Sequence, residues 1–156
     1  MPMAGERGLI GDLAFEELGR VAEIEASVFP EPLSLGELER LYRAPFVRYL
    51  AIREEGRLAA YFGFQVFGPT AHVISNATDP AYRQRGYGGR ILQEAEPVAR
   101  GMGARWFQGE VRLSNESQRR VLRRIGWREI GRCAAFFGNG EDAYIVFRCF
   151  GEGERP

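Results

Sequence analysis

A chain of 156 residues can bury about two-thirds of its unfolded surface around one core, so we expect a single domain over residues 1–156 without disulfide staples. Hydrophobic residues make up 45% and charged residues 27%, the balance of an ordinary soluble globular protein rather than a fibrous or disordered one. A formal net charge of zero argues against a general nucleic-acid binder, and no apolar run approaches the about 20 residues that cross a bilayer.

The charge is unevenly spread. Residues 1–40 hold nine acids and three arginines, a net of −6, whereas residues 83–132 hold twelve arginines and five glutamates, a net of +7. Lysine is absent, so every basic side chain is a guanidinium. A basic half suits a phosphate-rich ligand. The segment 1–7 lacks the apolar stretch of a secretory signal, which makes the cytoplasm the expected compartment. There, Cys133 and Cys149 read as two reduced, mostly buried thiols; a disulfide, a metal site or a nucleophile are the other readings of the pair. A single histidine, His72, excludes a histidine-rich metal site, and no metal is expected.

In chain order, residues 14–29 put Phe15, Leu18, Val21, Ala22, Glu25 and Val28 on one mainly apolar helical face, with Ile24 one position off the stripe. Ser34 caps a second helix, Glu37 three residues on completes a capping box, and that helix ends near Arg43, before Pro45. The period then changes. Residues 46–53, a turn at Glu55-Gly56, and residues 58–67 read as an antiparallel hairpin; Gly68-Pro69 breaks it, and residues 71–78 form another strand. A helix follows over 89–100, with Pro97 expected to kink or shorten it. Then come a strand at 104–112, a helix at 115–125 closed by Gly126, strands at 128–137 and 144–150, and a frayed end at 151–156. The pattern is α/β (α+β): a mixed, mostly antiparallel sheet of six to seven strands flanked by about four helices.

The segment with the most chemistry is Asp79-Pro80-Ala81-Tyr82-Arg83-Gln84-Arg85-Gly86-Tyr87-Gly88-Gly89, between a predicted strand and a predicted helix. Backbone N–H groups and a positive helix end converge there, a natural seat for a pyrophosphate, while Gly86, Gly88 and Gly89 admit a close ligand. Arg83 and Arg85 add charge that can pair with phosphate. It is neither a Walker A loop, since no Gly-Lys-Ser/Thr follows, nor a dinucleotide fingerprint, since Ile91 replaces the third glycine. On the residues alone, a phosphate loop and a glycine-rich turn with solvated arginines both stand.

Arg83-x-x-Gly86-x-Gly88 resembles the R/Q-x-x-G-x-G/A signature of the GNAT acetyltransferases. Glu110-Val111-Arg112-Leu113-Ser114-Asn115 and then Gly126-Trp127 resemble the second half of that fold. Phe29-Pro30 and the segment 141–146 resemble the ribosomal-protein alanine N-acetyltransferase group. The resemblance implies an acetyl-CoA-dependent N-acetyltransferase acting by direct transfer in a ternary complex. Ala77 and Thr78 would hold the pantetheine arm and thioester through their backbone. Arg83, Gln84, Arg85, Gly86, Tyr87, Gly88 and Gly89 would cradle the pyrophosphate, Asn115 would contact the cofactor, and Glu110 would be the general base. Phe29 and Pro30 would meet the acceptor, with Asn76 a further candidate contact.

An amine acceptor is protonated near neutral pH, which is why a positioned carboxylate helps, by about 100- to 10,000-fold. The group expects a tyrosine seven residues after the asparagine to protonate the leaving thiolate, and Leu122 stands there; Tyr144, Tyr87, water or an unaided exit are the alternatives. His72 reads as a structural histidine, with an alternative base as its second reading. Arg119, Arg120, Arg123, Arg124 and Arg128 read as a solvated basic face, or as contacts for phosphate. Phe136-Phe137 reads as either a channel lining or core packing. The acceptor expected is a protein N-terminal amine; a small-molecule amine and a non-catalytic acyl-CoA-binding module are the competing functions. A monomer or a homodimer fits equally, and neither membrane nor nucleic acid is expected as a partner.

Overall fold

In the computed structural model of the protein, which describes residues 8–151, the chain forms seven strands and four α-helices. They are β1 Leu9–Asp12, α1 Leu18–Val28, α2 Leu35–Tyr42, β2 Val47–Glu54, β3 Arg57–Phe67, β4 Thr70–Thr78, α3 Tyr87–Gly101, β5 Trp106–Arg112, α4 Glu116–Arg124, β6 Arg128–Cys133 and β7 Ala143–Cys149. Hydrogen bonding runs in the order β1-β2-β3-β4-β5-β7-β6, with β4–β5 parallel and β1–β2, β2–β3, β5–β7 and β6–β7 antiparallel. This is the mixed, mostly antiparallel sheet that the pattern implied. The expected frayed segment falls, beyond Gly151, outside the described residues, as does the segment 1–7.

The chain divides into two compact units, one made of residues up to 65 with 74–95, the other of 66–73 with 96 onward. In the first, Leu18, Val21 and Ile24 of α1 pack with Leu13, Leu38, Tyr49, Ala51, Leu58 and Tyr61. Each fully buried large side chain there is worth about 1.5–3 kcal/mol. Ile24, off the ideal stripe, is only 1% exposed, and the first turn of the predicted helix is a 3₁₀ turn, Phe15–Glu17. Ser34 caps α2 as its sequence requires: its side chain accepts from Glu37 N–H, and the Glu37 carboxylate accepts from Ser34 N–H. Glu55 and Gly56 both take positive φ, which closes the β2–β3 hairpin. Across that hairpin Gly63 faces Tyr49, whose ring lies where a side chain on residue 63 would be.

In the second unit, Phe107 stacks on Trp127 at 5.5 Å and meets Phe150 edge-on at 4.9 Å. Four expectations are corrected. Helix α3 starts at Tyr87, before the predicted residue 89, and runs through Pro97 to Gly101. Pro97 and Gln93, whose carbonyl loses its helical donor, are both exposed, so solvent can serve that carbonyl while Ala99, two residues past the proline, stays buried. Strand β5 starts at Trp106, two residues later than predicted. Strand β6 stops at Cys133, because Ala135 takes φ +50° and its N–H turns to Asp142, which also pairs with Arg132. The two cysteines are free and half-buried rather than mostly buried, each lying on an outer strand pair.

Candidate active site

In the first unit, β4 ends at Thr78 and leads into a short 3₁₀ turn capped by Asp79, whose carboxylate accepts from Ala81 N–H at 2.9 Å and pairs with Arg20. Gln84 and Gly86 then adopt φ of +64° and +76°, reversing the chain twice before α3. The Gly86 carbonyl takes the first helical bond, from Arg90 N–H at 3.1 Å. The N–H groups of Tyr87, Gly88 and Gly89 therefore precede the helical ladder and face out of its positive end. A Cβ on Gly88 would meet only Thr78 Oγ1, at an ordinary 3.6 Å. Nothing in the protein's own packing demands a glycine there.

The two loop arginines differ. Arg85 is ion-paired to Glu54, a carboxylate 6% exposed, and its guanidinium lies 5.0 Å from the Tyr82 ring centre. Arg83 is exposed and has no side-chain partner among the described residues. Tyr87 is 7% exposed, so its ring belongs to the core and only its backbone faces the loop. Ala77 and Thr78 are half-buried at the end of β4, and the half-buried Asn76 side chain makes no hydrogen bond among the described residues.

Phe29 is the C-cap of α1, with its N–H on Glu25 O at 2.9 Å, and Pro30 is exposed beside it. What ties this segment down is Glu25, 2% exposed. Its carboxylate accepts from Leu33 N–H at 2.9 Å and from the Tyr61 and Ser75 hydroxyls. Burial first, and the nearby Glu25 charge second, push the Tyr49 and Tyr61 phenols above their usual range.

In the second unit, the parallel pairing of β4 with β5 covers Thr70–Trp106, Ala71–Phe107 and His72–Gln108. That register sets His72 two residues short of Glu110, and its Nε2 lies 3.0 Å from each Glu110 carboxylate oxygen. Glu110 is 16% exposed at the side chain and His72 40%. The hydrogen bond to Glu110 raises the imidazole pKa, partial burial opposes it, and the carboxylate charge adds to it. Glu110 forms no ion pair with Arg112, two residues along the strand. Arg112 instead binds Glu141 at 3.1 Å and Asn139 at 3.0 Å, with its guanidinium 4.0 Å over Phe137.

Asn115 is the N-cap of α4: its Oδ1 accepts from Gln118 N–H at 3.3 Å, which leaves the amide nitrogen as the side chain's remaining donor. Leu122 is 3% exposed and serves the core of α4. Tyr144 is half-buried beneath the Arg119 guanidinium, 4.2 Å from its ring centre. On the same helix Arg119 and Arg123 share Glu129, so only Arg120, Arg124 and Arg128 remain solvated cations. Phe136 is 47% exposed and packs edge-on against Phe137 at 5.0 Å.

The sequence did not expose two of these arrangements. Glu25 could be found only as a carboxylate within an apolar stripe, the mark of a buried acid with partners elsewhere. The pairing of His72 with Glu110 carried no local signal, because the register of a parallel strand pair is not written in either strand.

Residues 18–127 match the acetyltransferase (GNAT) family. Among curated relatives, the N-alpha-acetyltransferase RimI of Mycobacterium tuberculosis is 32% identical over 150 residues, 92% of this chain and 93% of that protein. Among solved structures, the ribosomal-protein-S18-alanine N-acetyltransferase of Escherichia coli has a TM-score of 0.81 at 23% identity, covering 95% of this chain and 99% of that one. Arabidopsis thaliana NAA60 in complex with acetyl-CoA has a TM-score of 0.80 at 16% identity, covering 91% and 98%. At those identities the two structures bear on the fold alone.

Proposed function

This chain belongs to the GNAT acetyltransferase family, and on that footing we propose that it moves the acetyl group of acetyl-CoA to a protein N-terminal amine, directly, within a ternary complex. The observation that carries the reading is Glu110, a largely buried carboxylate held at both oxygens and unpaired with any arginine. It is the general base of the proposal. It takes one proton from the acceptor ammonium, freeing the lone pair that attacks the thioester carbon.

The remaining steps need no dedicated acid. When the tetrahedral adduct collapses, the C–S bond breaks and the thiolate departs, with a pKa near that of a free thiol, about 8.5. The second ammonium proton, still on the new amide nitrogen, passes to the thiolate. The buried Leu122 is compatible with that route.

On the cofactor side, Tyr87, Gly88 and Gly89 N–H, with Gln84 and Gly86 shaping the turn, form the pyrophosphate seat of the proposal, and Arg83 supplies the free cation. Arg85 supports the loop through Glu54. Ala77 and Thr78 backbone groups are assigned to the pantetheine arm, Asn115 to a further cofactor contact, and Phe29, Pro30 and Asn76 to the acceptor. We take residues 1–156 to work as one acetyltransferase domain. No described helix is long and apolar enough to cross a membrane, and we propose the cytoplasm as its place of action.

The test is CoA release from acetyl-CoA with short peptides varied at the N-terminal residue, set beside common small amines. Turnover with one peptide class that disappears in Glu110→Gln, while acetyl-CoA affinity persists, is the expected result. Turnover with small amines alone would replace the acceptor. Acetyl-CoA binding with no turnover on any amine would leave a binding module in place of an enzyme.

A further inference from the structure

The single histidine of the chain lies against the proposed base. We infer that His72 is the positioning residue for Glu110: it fixes both carboxylate oxygens and, by gaining or losing its own proton, switches Glu110 between an idle ion-pair partner and a working base. The inference rests on the reading of Glu110 as the base.

Geometry is the first support. An imidazole nitrogen 3.0 Å from both oxygens of one carboxylate restrains its rotation about the last side-chain bond, which a single-point contact would leave free. A base must present one lone pair in one direction, and misplacement by about 1 Å can cost about 100-fold.

Electrostatics is the second support. In the imidazolium form, His72 places a positive charge against Glu110, and the carboxylate loses basicity when it needs it. In the neutral form, the Nε2–H still donates but the charge is gone, so Glu110 holds a proton more strongly. The surroundings isolate this effect. Gln108 stands opposite His72 and Ile145 opposite Glu110, neither of them charged. Arg112, two residues along β5, is engaged by Glu141, and Cys149 on β7 is paired opposite Trp106. Residues 62–67 of β3 hold no charged or titratable side chain. The hydrogen bond to Glu110 raises the imidazole pKa above 6.5 against partial burial, and the one charge that adds to it is the Glu110 carboxylate.

The side chain of His72 is 40% exposed, and Nδ1 has no partner among the described residues. Solvent can therefore load and unload the ring without opening the protein. The switch then works at and above the pH where an ordinary imidazole titrates: as pH rises through the imidazole pKa, the ion pair is discharged and the base becomes competent.

Two measurements test this. Because the chain has one histidine, its ring protons can be followed by NMR without assignment. The imidazole of the wild type is expected to titrate above 6.5, and that of Glu110→Gln distinctly lower; equal midpoints would overturn the inference, and this arm needs no His72 variant to fold. The second is the pH profile of kcat/KM for the wild type and His72→Gln, which keeps one donor. We expect the acidic limb of the wild type to be steeper by one proton, and kcat of the variant on the alkaline plateau to fall about tenfold. A His72→Gln profile that overlays the wild type, with Glu110→Gln inactive, would sink the role of His72 alone. Full activity in Glu110→Gln would instead remove the base reading and this inference with it.

Discussion

The Tyr61 hydroxyl donates to the Glu25 carboxylate inside the first unit, while the Tyr49 hydroxyl nearby is buried with no partner among the described residues. The two phenols should therefore respond oppositely to deletion. Tyr61→Phe strips a donor from a buried carboxylate and is expected to cost about 1–3 kcal/mol in urea unfolding. Tyr49→Phe removes an unpaired hydroxyl and is expected to be neutral or stabilising by about 1 kcal/mol. Destabilisation by Tyr49→Phe comparable to that of Tyr61→Phe would mean that its hydroxyl has a partner, such as a buried water.

Those phenols also set an alkaline limit. Both folded pKa values lie above the ordinary 10.0, so the unfolded chain ionises first. Their stabilisation is complete below about pH 10 and is lost as pH rises from there toward the folded values. Melting temperature measured from pH 8 to 11.5 is expected to fall from about pH 10, and less steeply in Tyr49→Phe.

An acid limit comes from Glu17. Its hydrogen bond from Arg53, at 2.9 Å, lowers its pKa against the opposing effect of burial, with Ala14 N–H and the Arg53 charge adding to the lowering. A depressed carboxylate stabilises above its unfolded pKa, near 4.5, and loses that contribution as pH falls through the folded value. Melting between pH 6 and 3 should show the loss, and Arg53→Gln should flatten it. An unaltered acid slope in that variant would place the acid sensitivity elsewhere.

The loop before α3 gives a prediction about binding without stability. Gly88→Ala meets only ordinary contact with Thr78, so its melting temperature is expected to stay within a few degrees of the wild type. Its acetyl-CoA affinity by calorimetry is expected to drop at least tenfold, as a methyl group would occupy the space proposed for the ligand. Arg83→Ala should also weaken acetyl-CoA with little change in melting. Arg85→Ala should lower the melting temperature, because it leaves the buried Glu54 without that partner. Unchanged affinity in both Gly88→Ala and Arg83→Ala would move the pyrophosphate away from this loop.

Most of the fold was legible because it is written in short-range chemistry. The Ser34–Glu37 box, the Glu55-Gly56 turn, the Gly68-Pro69 break and the glycine after α4 each act over a few residues. The phosphate-type loop was legible for the same reason: glycines and arginines at fixed spacing between a strand and a helix. What escaped lies in long-range partnerships. Arg83 and Arg85 look equivalent in sequence, yet Glu54, 31 residues before Arg85, claims only the second. Glu25 finds Ser75 50 residues away, and His72 finds Glu110 38 residues away. No periodicity within a strand or helix encodes such pairs, because strand register decides the last of them and the packing of a helix or loop against a strand decides the others.

Gly63 and Tyr49 face each other across the β2–β3 hairpin, and the ring fills the place of the missing side chain. The two positions behave as one unit of inheritance. A methyl group at 63 is tolerable only after the ring at 49 has shrunk, and a shrunken ring leaves a hollow that invites filling from 63. Each first step is costly, while the pair of steps restores the packing. Loss of the ring at 49, or a side chain at 63, thus waits on the other, and chains that have crossed this barrier should carry both changes together.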